Sequence, residues 1–274
     1  MAGTRKKRSA SSRGQASAPP RRKALARRRR IGSIVQVVEA LICFAVLGGI
    51  GYAFTQYLSD SERFKVSRLQ IEGTELLEPA SIRAVAGITD DDSLLLFEAE
   101  AARQRVEAMP YVKSCSIQRA YPDTVIIRVE ERRPEAYLLV HHRTYEIDDE
   151  GVLLRELDPL APYPGPLISE IPDIGFVELG ERIENETLSN ALALWAAFKN
   201  TDLAQEWTIS EIAASKENTL LMYCDNVPFE VRWVGRDLRR QAKLLDIWWK
   251  ARKDDIPCNE YLDLRFGFDA LVCK

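Results

Sequence analysis

The chain has 274 residues, room for one large domain or two small ones. Its formal charge of −3 hides a division: residues 1–30 carry twelve of the 38 Lys and Arg and no acid, leaving 26 bases against 41 acids beyond residue 30, a net −15. A basic arm on an acidic body excludes a uniformly basic nucleic-acid binder and implies two parts with different surroundings.

The arm is rich in Ser, Ala, Pro and Gly and poor in large apolar residues, so residues 1–30 are expected to be a disordered cytoplasmic tail. It lacks the interleaved aromatics with which single-strand binders stack bases, and no nucleic-acid partner is expected. Ala40–Leu58, "ALICFAVLGGIGYAFTQYL", has no charge over 19 residues. As a helix it covers roughly 28 Å, close to the hydrocarbon thickness of a bilayer, and the transmembrane helix is placed at 31–58. Arg27–Arg30 precede it and acids follow, so the positive-inside rule puts the N-terminus in the cytoplasm. The competing reading, a cleaved signal peptide, is disfavoured by the thirty-residue basic lead and the length of the apolar run. Glu39 would cost roughly 2.5–3.5 kcal/mol at the bilayer centre, but nearer the cytoplasmic face it can snorkel toward the Arg cluster. Ala45, Gly49 and Ala53 form a four-residue stripe of small side chains, a candidate face for lateral helix packing.

Beyond the membrane segment two domains are expected, at 63–134 and 135–274. In the first, Phe64–Gly73 reads as a strand. Pro79 and Gly87 bracket a short helix, a second helix runs from about Phe97 to Ala108, and Pro110 stops it. "VKSCSIQRAYP" and "TVIIRVEERRP" follow, the latter with Val125, Ile127 and Val129 at period two. The order is β-α-α-β-β.

In the second domain, Tyr137–Val140 and Thr144–Ile147 flank a His141-His142-Arg143 turn, and Asp148–Gly151 turns the chain into Val152–Leu154. A Pro-rich loop follows. Leu188, Ala191, Leu192, Trp195 and Phe198 have helical spacing within Thr187–Lys199. Strands are expected near Ile209–Ala213, Leu220–Cys224 and Glu230–Val234, then a helix over Arg236–Arg252. Its adjacent Trp248 and Trp249 cannot both point straight into the core. The chain ends in two strand-like runs, Tyr261–Arg265 and Ala270–Cys273, around a Phe-Gly-Phe-Asp turn, so the last element reads as the outer strand of a hairpin.

The two histidines sit together in a turn, one acidic turn lacks the spaced oxygens of a calcium loop, and phosphate-loop, nucleophile-elbow and zinc motifs are missing. The chain is expected to be no enzyme and to need no cofactor or metal. Of the cysteines outside the membrane segment, Cys115 reads as a small buried hydrophobe. In a simple hairpin centred near Gly267, Cys273 would oppose about Tyr261, so Cys258 is not its natural partner, and the pairing stays open.

Phe64–Gly73, Arg119–Pro122 with Thr124–Val129, and Glu131-Arg132-x-Pro134-x-Ala136 resemble the POTRA domain of the bacterial cell-division proteins FtsQ and DivIB. "EIDDEGVLL", "VRWVGRDLRRQAKLLDIWWK" and "YLDLRFGFDALV" extend the resemblance over nearly the whole chain. It implies an α+β protein: one transmembrane helix, a POTRA domain and a mixed β-sheet domain with two or more helices. It further implies a single-pass inner-membrane scaffold at the division septum, its C-terminal domains extracytoplasmic, binding FtsB-like and FtsL-like proteins and helping to control septal peptidoglycan synthesis. In the family, the last strand and the helix before it form the docking surface. Carried over by position, this names Phe266, Phe268, Ala270, Leu271, Val272 and Cys273, with Trp249 on the helix. Phe268-Asp269 departs from the family's small pair at the turn. The POTRA edge, Val66–Ile71, would contact other division proteins or serve as a spacer. The alternative is a POTRA-bearing secretion or envelope-assembly component; the alternative for the last strand is that it merely closes the sheet.

Overall fold

The computed structural model describes residues 21–59, 62–158, 165–215, 218–253, 256–266 and 271–274. They fall into two units, one ending at Ser61 and the other spanning Glu62–Lys274.

The described residues of the first unit form a single helix, α1 (Arg21–Ser59). Its stretch Val38–Tyr57 has mean hydropathy 1.8 and is long and apolar enough to cross a membrane. The helix begins ten residues inside the arm that composition assigns to disorder. Ala, Leu, Arg and Lys are strong helix formers, and extending a nucleated helix costs far less than starting one. Ala45, Gly49 and Ala53 are exposed along it, with open space where a side chain on Gly49 would stand.

The second unit holds two sheets, each with its own core. The first sheet is built from β1 (Arg68–Glu72), α2 (Pro79–Ala86), α3 (Ala99–Glu107), β2 (Val112–Ala120) and β3 (Thr124–Glu131). Its strand order is β1-β3-β2, with β1 parallel and β2 antiparallel to the central β3. The alternation of β3 does what period two demands: Val125, Ile127 and Val129 are buried against Ile82, Ala86, Ala102 and Val106 of the two helices. Pro79 lies in the first turn of α2, and Gly87 closes that helix in the left-handed region (φ 63°), its N–H donating to the Arg83 carbonyl. β1 is shorter than the expected Phe64–Gly73 because the chain ahead of it is occupied elsewhere. Lys65 bridges to Ser93, and the Val66 N–H donates to the Asp92 carbonyl at 3.0 Å.

Glu131 ends β3 and organises a loop fifty-odd residues upstream. Its carboxylate accepts the N–H groups of Glu75, Leu76 and Leu77 at 2.7–2.9 Å. Burial works against the charge, but the three amides outweigh it and hold the carboxyl below its ordinary pKa. A depressed carboxylate stabilises the fold above its unfolded pKa, and that contribution is lost as pH falls through the folded value. Glu131→Gln is therefore expected to cost about 1 kcal/mol at neutral pH, with the gap to the parent closing in acid below about pH 4. Denaturant midpoints across pH 3–7 check this; a gap constant with pH would assign the loss to shape rather than charge.

The second sheet has nine strands: β4 (Ala136–Val140), β5 (Arg143–Ile147), β6 (Leu153–Glu156), β7 (Leu167–Ser169), β8 (Ile209–Ser215), β9 (Thr219–Cys224), β10 (Glu230–Val234), β11 (Tyr261–Asp263) and β12 (Val272–Cys273). In space they run β12-β11-β10-β9-β8-β7-β4-β5-β6. The pairs β4–β7, β7–β8 and β10–β11 are parallel and the rest antiparallel, so the sheet is mixed. α4 (Glu186–Phe198) and α5 (Leu238–Arg252) pack on each other and on β8 and β10. Leu188, Ala191, Leu192 and Phe198 of α4 are buried as their spacing predicts, around a fully buried Trp233 from β10. Trp248 and Trp249 are both half-buried, sharing the compromise their 100° offset requires. The fold is α+β, as expected.

Within this unit the first sheet is joined to the second by charge. Arg132 sends one guanidinium nitrogen to both Asp148 (2.6 Å) and Glu150 (2.9 Å), and Lys113 also reaches Glu150 (3.0 Å). Tyr111 donates its hydroxyl to Glu146, which Arg155 engages at 2.6 Å from the other side. Burial and this hydrogen bond both raise the Tyr111 pKa. The acidic turn after β5 is thus committed to the junction: Asp148 is used up by Arg132 and by the N–H groups of Glu150 and Val152.

Candidate docking edge

Among the described residues the nine-stranded sheet ends in β6 on one side and β12 on the other. β12 pairs antiparallel with β11, Leu262 opposite Cys273 and Asp263 opposite Val272. One step on, Tyr261 and Lys274 exchange both main-chain hydrogen bonds, at 3.0 and 3.3 Å. In an antiparallel ladder, bonded and non-bonded pairs alternate, so the N–H and C=O of Cys273 point away from β11 toward the unpaired side. No strand pairs beyond them among the described residues. The side chains follow period two: Leu271 and Cys273 pack against the core and Val272 is exposed on the other face.

The ladder's far end is set by Asp263 and Arg265. The buried Asp263 carboxylate takes Nε and Nη2 of Arg265 at 2.6–3.1 Å and the Arg265 N–H at 3.0 Å. Burial opposes its charge, yet Arg265 keeps the carboxyl below its ordinary pKa. Phe266 follows, 63% exposed, its ring 5.9 Å from the Arg265 guanidinium.

Of the residues named from sequence, Leu271, Val272 and Cys273 are brought together on the edge, with Phe266 at the start of the preceding turn. Phe268 and Ala270 lie outside the described residues. Trp249 faces inward: its ring meets Trp207 edge-on at 4.9 Å, and its Nε1 donates to Glu206 at 2.8 Å. His141 and His142 form the tight β4–β5 turn, both with positive φ, and no group of three or more His, Cys, Asp and Glu side chains suited to a metal occurs among the described residues.

The cysteine pairing that the sequence leaves open is Cys258–Cys273, a disulfide with its Cα atoms 5.1 Å apart. The simple-hairpin argument put Tyr261 opposite Cys273 and left Cys258 too far back. The observed register sets Leu262 opposite Cys273, one residue farther from Cys258, so the link does not come from cross-strand pairing. Instead the segment before β11 curls around the chain end, the N–H groups of Asn259 and Glu260 both donating to the Lys274 carbonyl at 2.8 and 2.6 Å. Pairing by hairpin register alone misses this wrap.

A cleft of about 970 Å³ lies between α4 and α5, with Ala193 and Ala196 on one side and Arg236, Arg239 and Lys243 on the other. Two of its acids, Asp202 and Asp246, are paired with Lys250.

A helix long and apolar enough to cross a membrane precedes a β-α-α-β-β module and a mixed sheet, the order of a single-pass protein carrying a POTRA module. Residues 64–132 match the family model of the POTRA domain, FtsQ-type. The chain is 27% identical over 231 residues to the cell division protein FtsQ of Streptomyces bingchenggensis, covering 75% of this chain and 83% of that one. It is 27% identical over 239 residues to FtsQ of Geobacter sp. strain M21, covering 86% and 85%. The extracytoplasmic domain of DivIB from Geobacillus stearothermophilus aligns at TM-score 0.31 and 16% identity over 46% of this chain and 98% of that one, too low to assign a fold. The chain thus carries a match to the FtsQ-type POTRA domain and is similar over most of its length to bacterial cell division proteins FtsQ.

Proposed function

We propose that this chain is a non-catalytic, single-pass scaffold of the division machinery that accepts a strand from an FtsB-like partner, paired with an FtsL-like one, on its β12 edge. The observation that carries the reading is the outward N–H and C=O of Cys273 on an unpaired terminal strand. Strand addition draws affinity from main-chain hydrogen bonds and specificity from alternate side chains. Here Val272 and Phe266 are the exposed apolar side chains available for that selection. Arg27–Arg30 ahead of the membrane segment and acids behind it favour a cytoplasmic N-terminus and an extracytoplasmic body at the septum. The domain limits 63–134 and 135–274 belong to the same proposal, with the first, which has β1 as one of its two edge strands, meeting other division proteins. The scaffold acts by placement: an anchor confines it to two dimensions, and several weak contacts add through effective concentration. Control of septal peptidoglycan synthesis then follows from which partners it holds together.

The test is binding of the full chain in detergent to the extracytoplasmic segments of FtsB-like and FtsL-like proteins from the same cell, compared with a chain ending at Phe266. Circular dichroism must first show that the shortened chain keeps its fold. Losing about three main-chain bonds of roughly 1 kcal/mol each predicts a drop on the order of 100-fold. Unchanged binding would make β12 a mere closing strand and move attention to β1.

A further inference from the structure

We propose that the Cys258–Cys273 disulfide is a thiol–disulfide exchange site that latches the terminal strand, so that an extracytoplasmic dithiol–disulfide carrier sets whether β12 is ordered. Its consequence for binding rests on β12 being the docking element. Its consequence for β12 itself does not.

Little else holds this strand. β12 makes two residue pairs with β11, followed by the main-chain bonds of Lys274. The Lys274–Glu260 ion pair is about 60% exposed on both sides, where such pairs contribute little. Leu271 and Cys273 are only partly buried, and Val272 is exposed. A short terminal strand with so few contacts belongs at the low end of local stability. The disulfide ties it to Cys258, which is 2% exposed within the main core. The bond therefore runs from a fixed point to the least-held segment of the sheet, across a loop of 15 residues.

The chemistry has one natural direction of attack. Cys258 is 2% exposed whereas Cys273 is only half-buried, so the Cys273 sulfur is the one assigned to attack by a carrier thiolate. A new S–S bond forms there, the Cys258–Cys273 bond breaks, and Cys258 leaves as a thiolate that takes a proton from water. The carrier's second thiolate then attacks its own sulfur in the mixed disulfide and releases Cys273. The protein disulfide gains two electrons and two protons to become two thiols, and the carrier dithiol becomes a disulfide; the oxidised carrier runs the sequence backwards. The remaining cysteines of the body do not compete. Cys115 and Cys224 are buried free thiols, and burial pushes Cys224 up to about 12, where thiolate is scarce. Latched, Cys273 presents its outward N–H and C=O in place. Unlatched, the strand has to be ordered at the moment of binding, which lowers affinity.

The experiment is hydrogen exchange by mass spectrometry on the full chain in detergent: oxidised, reduced, and as the Cys258→Ala/Cys273→Ala double variant. Opening a 15-residue loop predicts exchange of the Val272 and Lys274 amides, the ones facing β11, on the order of 100-fold faster in both bond-free forms, with protection of β8–β10 unchanged. Equal protection with and without the bond would overturn the latch, and so would loss of protection across the whole sheet, which would make the bond a general staple. A carrier whose resolving cysteine is replaced by serine is expected to be trapped on Cys273; trapping on Cys258, or none, would overturn the exchange route. Partner segments added to the same samples separate the two readings. Oxidised chain that binds no partner, with the exchange result intact, refutes the docking role and leaves the latch standing.

Discussion

Arg132→Ala is expected to lower the stability of the Glu62–Lys274 unit by about 3–5 kcal/mol, a cost typical of removing one partner from a buried ion pair. Arg132 is 16% and Asp148 2% exposed, so the deletion strands a carboxylate that water cannot reach. Burial disfavours the guanidinium charge, but hydrogen bonds to Glu150 and Asp148 outweigh it and raise its pKa. The loss should concentrate on the Asp148 side, because Glu150 is 40% exposed and keeps Lys113. Adding Asp148→Asn to Arg132→Ala removes the stranded charge, and the double variant should recover part of the loss. Denaturant midpoints followed by tryptophan fluorescence measure all three. A single-variant loss under about 1 kcal/mol would mean the pair is screened like a surface bridge, and that shape rather than charge joins the two sheets.

That pair also shows where sequence reasoning stops. Arg132 is legible as part of a family motif, and Asp148 as part of an acidic turn, but nothing in either stretch says that one is the other's partner. The same holds for Glu131, whose three amide donors lie 54–56 residues upstream. Local signals fared better. Pro79 and Gly87 bracket α2, Pro110 follows α3, and period two marks β3, because propensity and alternation act within a few residues. β7 escaped notice for the same reason: three residues are too few to display a period. Yet it sits between β4 and β8 with Ile168 fully buried. At the β12 edge the position of the last strand is readable from the sequence. The Cys258–Cys273 link is not, since it depends on the turn of the chain around Lys274 rather than on hairpin register.

Gly73 carries the second large effect, and the molecule supplies its control. Gly73 (φ 85°) and Gly180 (φ 84°) share nearly the same positive φ, which costs any other residue about 1–3 kcal/mol. Their surroundings differ. A side-chain carbon on Gly73 would stand 2.1 Å from the Val129 carbonyl oxygen, whereas the nearest atom at Gly180 is the Pro110 Cα at 3.7 Å. Val129 belongs to the central strand of its sheet, paired with β2, so that carbonyl cannot retreat without disturbing a ladder. Gly180→Ala is therefore expected to show the backbone cost alone. Gly73→Ala should exceed it by about 2 kcal/mol or more, the scale of forced overpacking. Comparing the two in one denaturation series subtracts the conformational cost and leaves the collision. Equal losses would show that β3 gives way, and that Gly73 is required for its φ rather than for the closeness of the strand beside it.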